Sequence, residues 1–390
     1  MLTTQCPNLL STNNDFNLSR RNFLKLSSLA ALGYMTDKFV PALASQSDRL
    51  TEWAPNSLAS GTAVEWRYVA GRIVDSGEDY GFIASLSDLR VLGTQQLLVE
   101  RKNFIGDDNF TENKYDGKLT YNAGTHTYTF EADSQILAMW QWDDTNQFYR
   151  LTVTTTELTL TDVVLKPQGD LIAEGGDGDI RVGQFQNISV GSDYHADWTI
   201  IELGGQPKGV ARVDMQGLRP ISFESTSVSD YDHHWFVVAA ELANDQSVWI
   251  SAWRIEDANG PYWVVTIASG SGTEWKIERS LTQETSTEPL TVEILAWQAI
   301  PLPQDKSETG YQWHIVGPNP ADLDIVITVP TGQFTTGAPL QGVGGPSIMQ
   351  EAIGLDVTGT ILGQTISNVS LAVAESTAEF YRQFMPIILK

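Results

Sequence analysis

The sequence predicts an all-β protein built as two closed antiparallel units, and three observations carry that prediction. Past residue 45 the chain is a succession of short runs of β-branched and aromatic residues broken by Gly, Asn and Asp, which is the pattern of strands joined by turns. Charged residues make up only 18%, whereas Trp, Tyr and Phe number 12, 12 and 14, a balance that suits broad sheets with apolar interiors better than helices with charged faces. Apolar stripes of helical period longer than two turns are not evident beyond the first segment; a short helix near Thr377–Phe384 is the expected exception. So many strands without interleaved helices call for closure into barrels or sandwiches, because closure removes edges that would otherwise pair between molecules. With 390 residues, the chain can bury one large core or two of ordinary size.

The elements follow in chain order. Ser19-Arg20-Arg21-Asn22-Phe23-Leu24-Lys25 precedes a mildly apolar stretch, Leu26–Met35, and then Ala42-Leu43-Ala44. This resembles a twin-arginine export signal at every position of the S-R-R-x-F-L-K pattern, with cleavage expected after Ala44, where small residues occupy the last and third-last positions. The apolar part is too short to cross ~30 Å of hydrocarbon, and no other stretch reaches the ~20 apolar residues a span requires. The expectation is a soluble periplasmic or extracellular protein, with the twin-arginine machinery as a partner in export and no transmembrane anchor.

Cleavage would remove Arg20, Arg21, Lys25 and Lys38 against Asp15 and Asp37, a net +2, and so move the formal charge from −24 to −26. Such a surface repels a phosphate backbone and an anionic bilayer alike, which argues against nucleic acid as a partner. The single cysteine, Cys6, precedes the arginine pair, so the mature chain has no thiol for a disulfide, a thiolate metal site or a nucleophile.

Clear strands are expected at Leu151–Thr156, Ser247–Trp253 and Asp324–Val329, and Lys118–Phe130 reads as a hairpin turning at Asn122–Thr125. Ala70-Gly71-Arg72-Ile73-Val74-Asp75-Ser76-Gly77, followed by Tyr80, is echoed by Ala252-Trp253-Arg254-Ile255-Glu256-Asp257-Ala258-Asn259-Gly260, followed by Tyr262. The echo suggests two similar units with a boundary between Leu203 and Ser229.

Several separated segments then resemble one family. Glu65-Trp66-Arg67-Tyr68-Val69-Ala70-Gly71, with Asp75, Gly77 and Gly81-Phe82, is similar to the opening E-W-W-Y-x-x-G strand of secreted lipocalin-like proteins that include the AttH-type proteins and the carotenoid 1,2-hydratases. Asp232-His233-His234-Trp235 resembles their D-H-x-W segment. Tyr311-Gln312-Trp313-His314 is loosely similar to Y-P-x-x-W, and Glu351 with Val357-Thr358-Gly359 to the closing Y-W-E-G and V-x-G. Arg67 stands where the family has a second Trp, Phe236 where it has Gly, and Gln312 where it has Pro.

The resemblance implies two tandem lipocalin-like antiparallel β-barrel domains, 45–215 and 216–390, following the signal peptide 1–44. It also implies pockets for apolar small molecules, with an isoprenoid or polyene as the leading class. The implied chemistry is addition of water to a C=C bond, or cyclisation, by acid catalysis. Non-catalytic carriage of a hydrophobic ligand is the alternative.

Among candidate residues, Asp232 and His233 are expected to be catalytic, because a carboxylate near an imidazole makes an acid or base usable near neutral pH; since direct neighbours on a strand do not face each other, Asp232 is expected to pair with His234, two positions on, or with groups on other strands. The competing reading has these residues bonding a strand connection, with Trp235 filling the core. Glu65 is a third catalytic candidate, since a buried Glu beside an apolar cavity has a raised pKa and could protonate an alkene; equally, it could close a barrel by pairing with an Arg. Trp66, Tyr68, His234, Trp235, Trp313 and Glu351 are the expected substrate contacts.

Adjacent His233 and His234 point to opposite faces of a strand and so do not suit one metal ion. Asp193, His195 and Asp197 share a face, which is expected to be solvated. The Gly175–Asp179 segment lacks the spacing of a calcium loop, and Ser225, Ser227 and Ser229 lack a nucleophile elbow. No cofactor and no metal are expected.

Overall fold

The computed structural model describes residues 46–55, 64–90, 93–106, 110–174, 178–185, 188–223, 232–257, 260–270, 275–282, 291–301, 306–317, 322–329 and 349–377. The twin-arginine segment, the serines at 225, 227 and 229, and all but the first residue of the expected helix Thr377–Phe384 lie outside these. Thr377 itself ends a strand.

One short helix, α1 (Gln46–Trp53), opens the described chain. The first group of strands is β1 (Val64–Asp75), β2 (Glu78–Leu89), β3 (Thr94–Asn103), β4 (Phe110–Asn122), β5 (Thr127–Ala132), β6 (Gln135–Asp143), β7 (Phe148–Thr154), β8 (Thr159–Pro167), β9 (Ile172–Ala173), β10 (Asp179–Phe185), β11 (Ile188–Leu203) and β12 (Gln206–Phe223). The second is β13 (Asp232–Leu242), β14 (Ser247–Asp257), β15 (Gly260–Gly270), β16 (Trp275–Thr282), β17 (Thr291–Pro301), β18 (Lys306–Gly317), β19 (Leu323–Thr328), β20 (Met349–Ile353), β21 (Asp356–Ile361) and β22 (Gln364–Thr377).

All the strand pairings are antiparallel. In the first sheet β11, β12 and β1 through β8 run side by side, and β8 returns to β11 through Thr199↔Pro167 to Glu202↔Val164, which closes a barrel. The second sheet runs β16-β15-β14-β13-β22-β21-β19-β18-β17, with β20 beside β22. It curls without a closing pair among the described residues. This is the expected all-β architecture of tandem lipocalin-like barrels. The chain passes between the sheets after Phe223 and before Asp232, so residues 215 and 216 both lie on β12.

The local reasons are ordinary ones. β1 turns into β2 at Ser76-Gly77, both at positive φ, the backbone a two-residue hairpin demands. Gly209 lets β12 press against β1, because a Cβ there would meet the Arg72 carbonyl oxygen at 1.9 Å. Both echoed segments are hairpins, β1–β2 and β14–β15.

The lumen of the first barrel is filled by the chain itself. α1 enters it with Trp53, whose ring packs on Tyr128 (5.5 Å) and Tyr149 (5.2 Å), alongside buried Trp140 and Trp142. Trp53 Nε1 donates to the His126 carbonyl, while Arg67 and the Tyr128 hydroxyl donate to the Trp53 carbonyl. Arg49 forks onto Asp197 at 2.8 and 3.0 Å, and the Tyr149 hydroxyl also donates to Asp197.

This corrects two expectations. A helix exists where no stripe announced one, because two apolar positions, Leu50 and Trp53, are too few to register as a period. The face carrying His195 and Asp197 is buried rather than solvated, since it turns into the lumen, where α1 supplies the partners; His195 Nδ1 lies 3.2 Å from Glu52. Tyr149→Phe should lower stability by about 1 to 2 kcal/mol in urea unfolding, a modest loss because Asp197 keeps Arg49.

Candidate functional site

The outer face of the first barrel packs against the second sheet along a seam. On β1, alternate residues part ways: Val69 and Ile73 join the lumen core, while Val64, Tyr68 and Ala70 join the seam with Ile83, Tyr194, Ala196 and Trp198. The second sheet does the same, sending Phe236 and Val238 into its own core and Trp235, Val237, Trp249 and Val264 to the seam. Tyr68 meets Trp235 edge to face at 5.7 Å, and Trp198 meets Trp249 likewise at 5.7 Å.

Two clusters of ionisable groups are sealed into this aromatic layer. The first is centred on Arg212, which is wholly buried. Its guanidinium bonds Glu174 at 2.7 Å, Asp214, and the Tyr194 hydroxyl at 3.0 Å, and it lies 4.4 Å from the Trp249 ring centroid and 5.4 Å from that of Trp235. Tyr194 in turn donates to Asp214 at 2.6 Å. Burial raises both carboxyls, Asp214 to about 7, with Glu174 adding to the rise, because one guanidinium cannot compensate two anions removed from water. Ser251 and Thr266, buried on the second sheet, adjoin Glu174.

The second cluster is centred on Glu100. Leu97 and Val99 of β3 enter the lumen core, and Glu100 stands directly opposite Ile83, a seam residue, on one side and Glu112 on the other. It is 1% exposed, and its Oε2 has no hydrogen-bond partner among the described residues. Burial above all, then the charges of Glu112 and Glu375, push its carboxyl well above the usual range, which favours the neutral acid. Glu375 lies directly across the ladder from Trp235, which ties this cluster to the Tyr68–Trp235 pair.

A cavity of about 550 Å³ lies beside the seam between Arg72 and Phe104 of the first sheet and β21 and β22 of the second, and Leu371 forms part of its wall. Phe104 and Leu371 also pack in the seam.

The expected site residues are distributed as follows. Tyr68 and Trp235 meet in the seam, and Trp66, half-buried, packs against it. Glu65 turns the other way and bridges Arg67 at 2.8 Å and Arg90 at 2.5 Å. Trp313 is in the core of the second sheet, 4.5 Å from Phe236.

Asp232, His233 and His234 begin β13 opposite Glu256, Ile255 and Arg254, and Glu351 on β20 lies opposite Glu375. The side chains of these four fall outside the described residues. Glu100, Glu174, Arg212 and Asp214 were not anticipated. Val210-Ala211-Arg212-Val213-Asp214 holds charges at alternating positions, and Glu100 opens the charged run Glu100-Arg101-Lys102; both patterns read in sequence as solvated. Among the described residues, no group of His, Cys, Asp and Glu is placed to hold a metal ion.

No family profile and no curated protein matches the chain. Among solved structures it is similar to kievitone hydratase from Nectria haematococca, at 14% identity and a TM-score of 0.56, covering 88% of this chain and 95% of that one. A presumed AttH protein from Nitrosomonas europaea matches at 14% identity and a TM-score of 0.49, covering 88% and 98%. At this identity, the likeness to the hydratase is one of fold.

Proposed function

We propose that the protein binds an apolar, alkene-bearing small molecule at the seam between its two sheets and acts on it as a hydratase-type lyase, with Glu100 as the acid. The observation that carries this reading is Glu100, a carboxyl withdrawn from water, its pKa raised by that burial, on a face shared with the seam residue Ile83. A neutral carboxylic acid in a dry site can hand its proton to a C=C bond. The alkene π pair forms the new C–H bond and leaves a cation on the more substituted carbon. The carboxylate left behind and the faces of Tyr68 and Trp235 stabilise that cation. A water oxygen then forms the C–O bond, and its surplus proton returns to Glu100, so the sum is addition of one water. Capture by a second double bond of the same molecule would give a ring instead.

Isoprenoids and polyenes are the proposed substrate class, by resemblance. The cavity of about 550 Å³ lies within the usual range for small-molecule sites, and it shares Phe104 and Leu371 with the seam. The hydratase among the structural neighbours supports the reaction class by analogy of fold. Asp232 and His233 remain proposed participants, with His234 and Glu351 as proposed contacts, since β13 carries Trp235 and lies with β20 on either side of Glu375. Export by the twin-arginine route with cleavage near Ala44, and a division of the mature chain into two domains, belong to the same proposal.

Incubation with farnesol and with lycopene in isotope-labelled water should give products heavier by one labelled water. Asp232→Asn and His233→Ala should each slow that conversion by about tenfold or more with the circular dichroism spectrum unchanged. Saturable binding of both alkenes with no product would make the protein a carrier.

A further inference from the structure

Given the alkene site proposed above at the seam, on which this step rests, we infer that its substrate is an isoprenoid alcohol, with the hydroxyl held between Arg72 and Asp356 and the chain running past Phe104 and Leu371. The cavity of about 550 Å³ that holds the hydroxyl exists because two strands part. β21 and β22 pair only at Thr360↔Thr365 and Ile361↔Gln364, next to the turn that joins them. Farther along, β22 slips twice against β13, and the Ser367 and Ser370 hydroxyls donate to the Glu241 and Ala239 carbonyls at those slips. The cleft left between β21 and β22 is completed by Arg72 and Phe104 of the first sheet. Phe104 is seated between two glycines, Gly81 in β2 and Gly354 between β20 and β21. A Cβ on Gly354 would lie 2.4 Å from its ring and one on Gly81 3.3 Å, so neither position has room for a side chain.

The polar side chains of the cleft specify the head group. Arg72 forks onto Asp79 at 2.8 Å through both Nε and Nη2, and its guanidinium lies 4.7 Å from the Phe104 ring centroid. The side chain is 30% exposed, and Nη1 makes only a long contact, 3.5 Å, with the Val369 carbonyl. The guanidinium is thus held in place while keeping donor capacity for a ligand. Asp356 lines the same cleft from β21, is exposed, and has no hydrogen-bond partner among the described residues.

Arg72 and Asp356 do not pair with each other, so a group placed between them must accept from one and donate to the other. A hydroxyl does both, a ketone or ether only accepts, and a hydrocarbon end does neither. An anionic head is disfavoured, because Asp79 already neutralises Arg72, Asp356 lines the same cleft and the whole chain carries a formal −24. Phe104 and Leu371 belong both to this cleft and to the seam, so an apolar chain anchored here continues into the aromatic layer.

Saturated ligands, which cannot be hydrated, separate recognition of the head from the chemistry. In a tryptophan-fluorescence titration of the full chain, hexahydrofarnesol should bind saturably and about tenfold tighter than farnesane, which has the same branched chain without the hydroxyl. Hexahydrofarnesoic acid should bind more weakly than the alcohol. Asp356→Ala, at an exposed position, should bring hexahydrofarnesol down to the level of farnesane, and Arg72→Gln should do the same. Equal affinity for the alcohol and farnesane, or a preference that survives Asp356→Ala, would overturn the hydroxyl site and leave the alkene reading standing. The expected preference with farnesol left unconverted would support the hydroxyl site and remove the hydratase reading. Tighter binding of the acid would overturn the assignment of an uncharged head.

Discussion

Glu100→Gln should reduce alkene conversion by about 10² to 10⁴-fold, the range for loss of a general acid, while making the folded protein more stable above neutral pH. The two effects share one cause. Glu100 is buried beside Glu112 and Glu375, and its folded pKa is raised above the unfolded value of about 4.3. Below that unfolded value the group is protonated in both states and costs nothing. As pH rises past it, the unfolded chain releases the proton while the folded chain retains it, so stability falls until the folded pKa is passed. Glutamine has no proton to lose. Wild type and variant should therefore melt at similar temperatures near pH 4, with the variant's advantage widening toward pH 8. A stability gain with unchanged turnover would leave Glu100 a structural acid and remove it from the chemistry.

Arg212→Met should cost about 3 to 5 kcal/mol in urea unfolding at pH 8, the largest stability loss expected from one substitution at the seam. It would leave the carboxyls of Glu174 and Asp214 sealed among Trp235, Trp249 and Tyr194 with no cation to share. Without the guanidinium both folded pKa values rise further, so the loss should shrink as pH falls and the carboxyls take up protons. Adding Glu174→Gln and Asp214→Asn to the same chain should recover most of the deficit, because the buried charge is then gone. Equal losses at pH 5 and pH 8 would mean that packing of the Arg212 stem over Trp249 carries the effect instead.

Much of the fold is legible in the amino-acid order. Alternation of apolar and polar residues marks strands directly, as in Leu323–Thr328 and Ser247–Asp257, and the Asn122 to Thr127 turn is written in residues that favour turns. α1 was not legible, because eight residues with two apolar positions carry too little periodicity. Tyr68 and Trp235 were picked out by motif, and they do meet in the seam. The physics applied to Glu65, a carboxyl raised by burial, describes Glu100; Glu65 itself is held between two guanidiniums.

The sequence by itself determined the class of the protein: strands throughout the described chain, two sheets' worth of apolar faces, no thiol beyond Cys6 and a strongly acidic surface. The tertiary structure alone decided which faces are dry. A period of two divides each strand into two sides but leaves open what covers them, and burial, which sets the protonation of Glu100 and Asp214, depends on that cover. Arg212 and Glu100 read as solvated residues until a second sheet lies over them, and His195 and Asp197 until α1 enters the barrel.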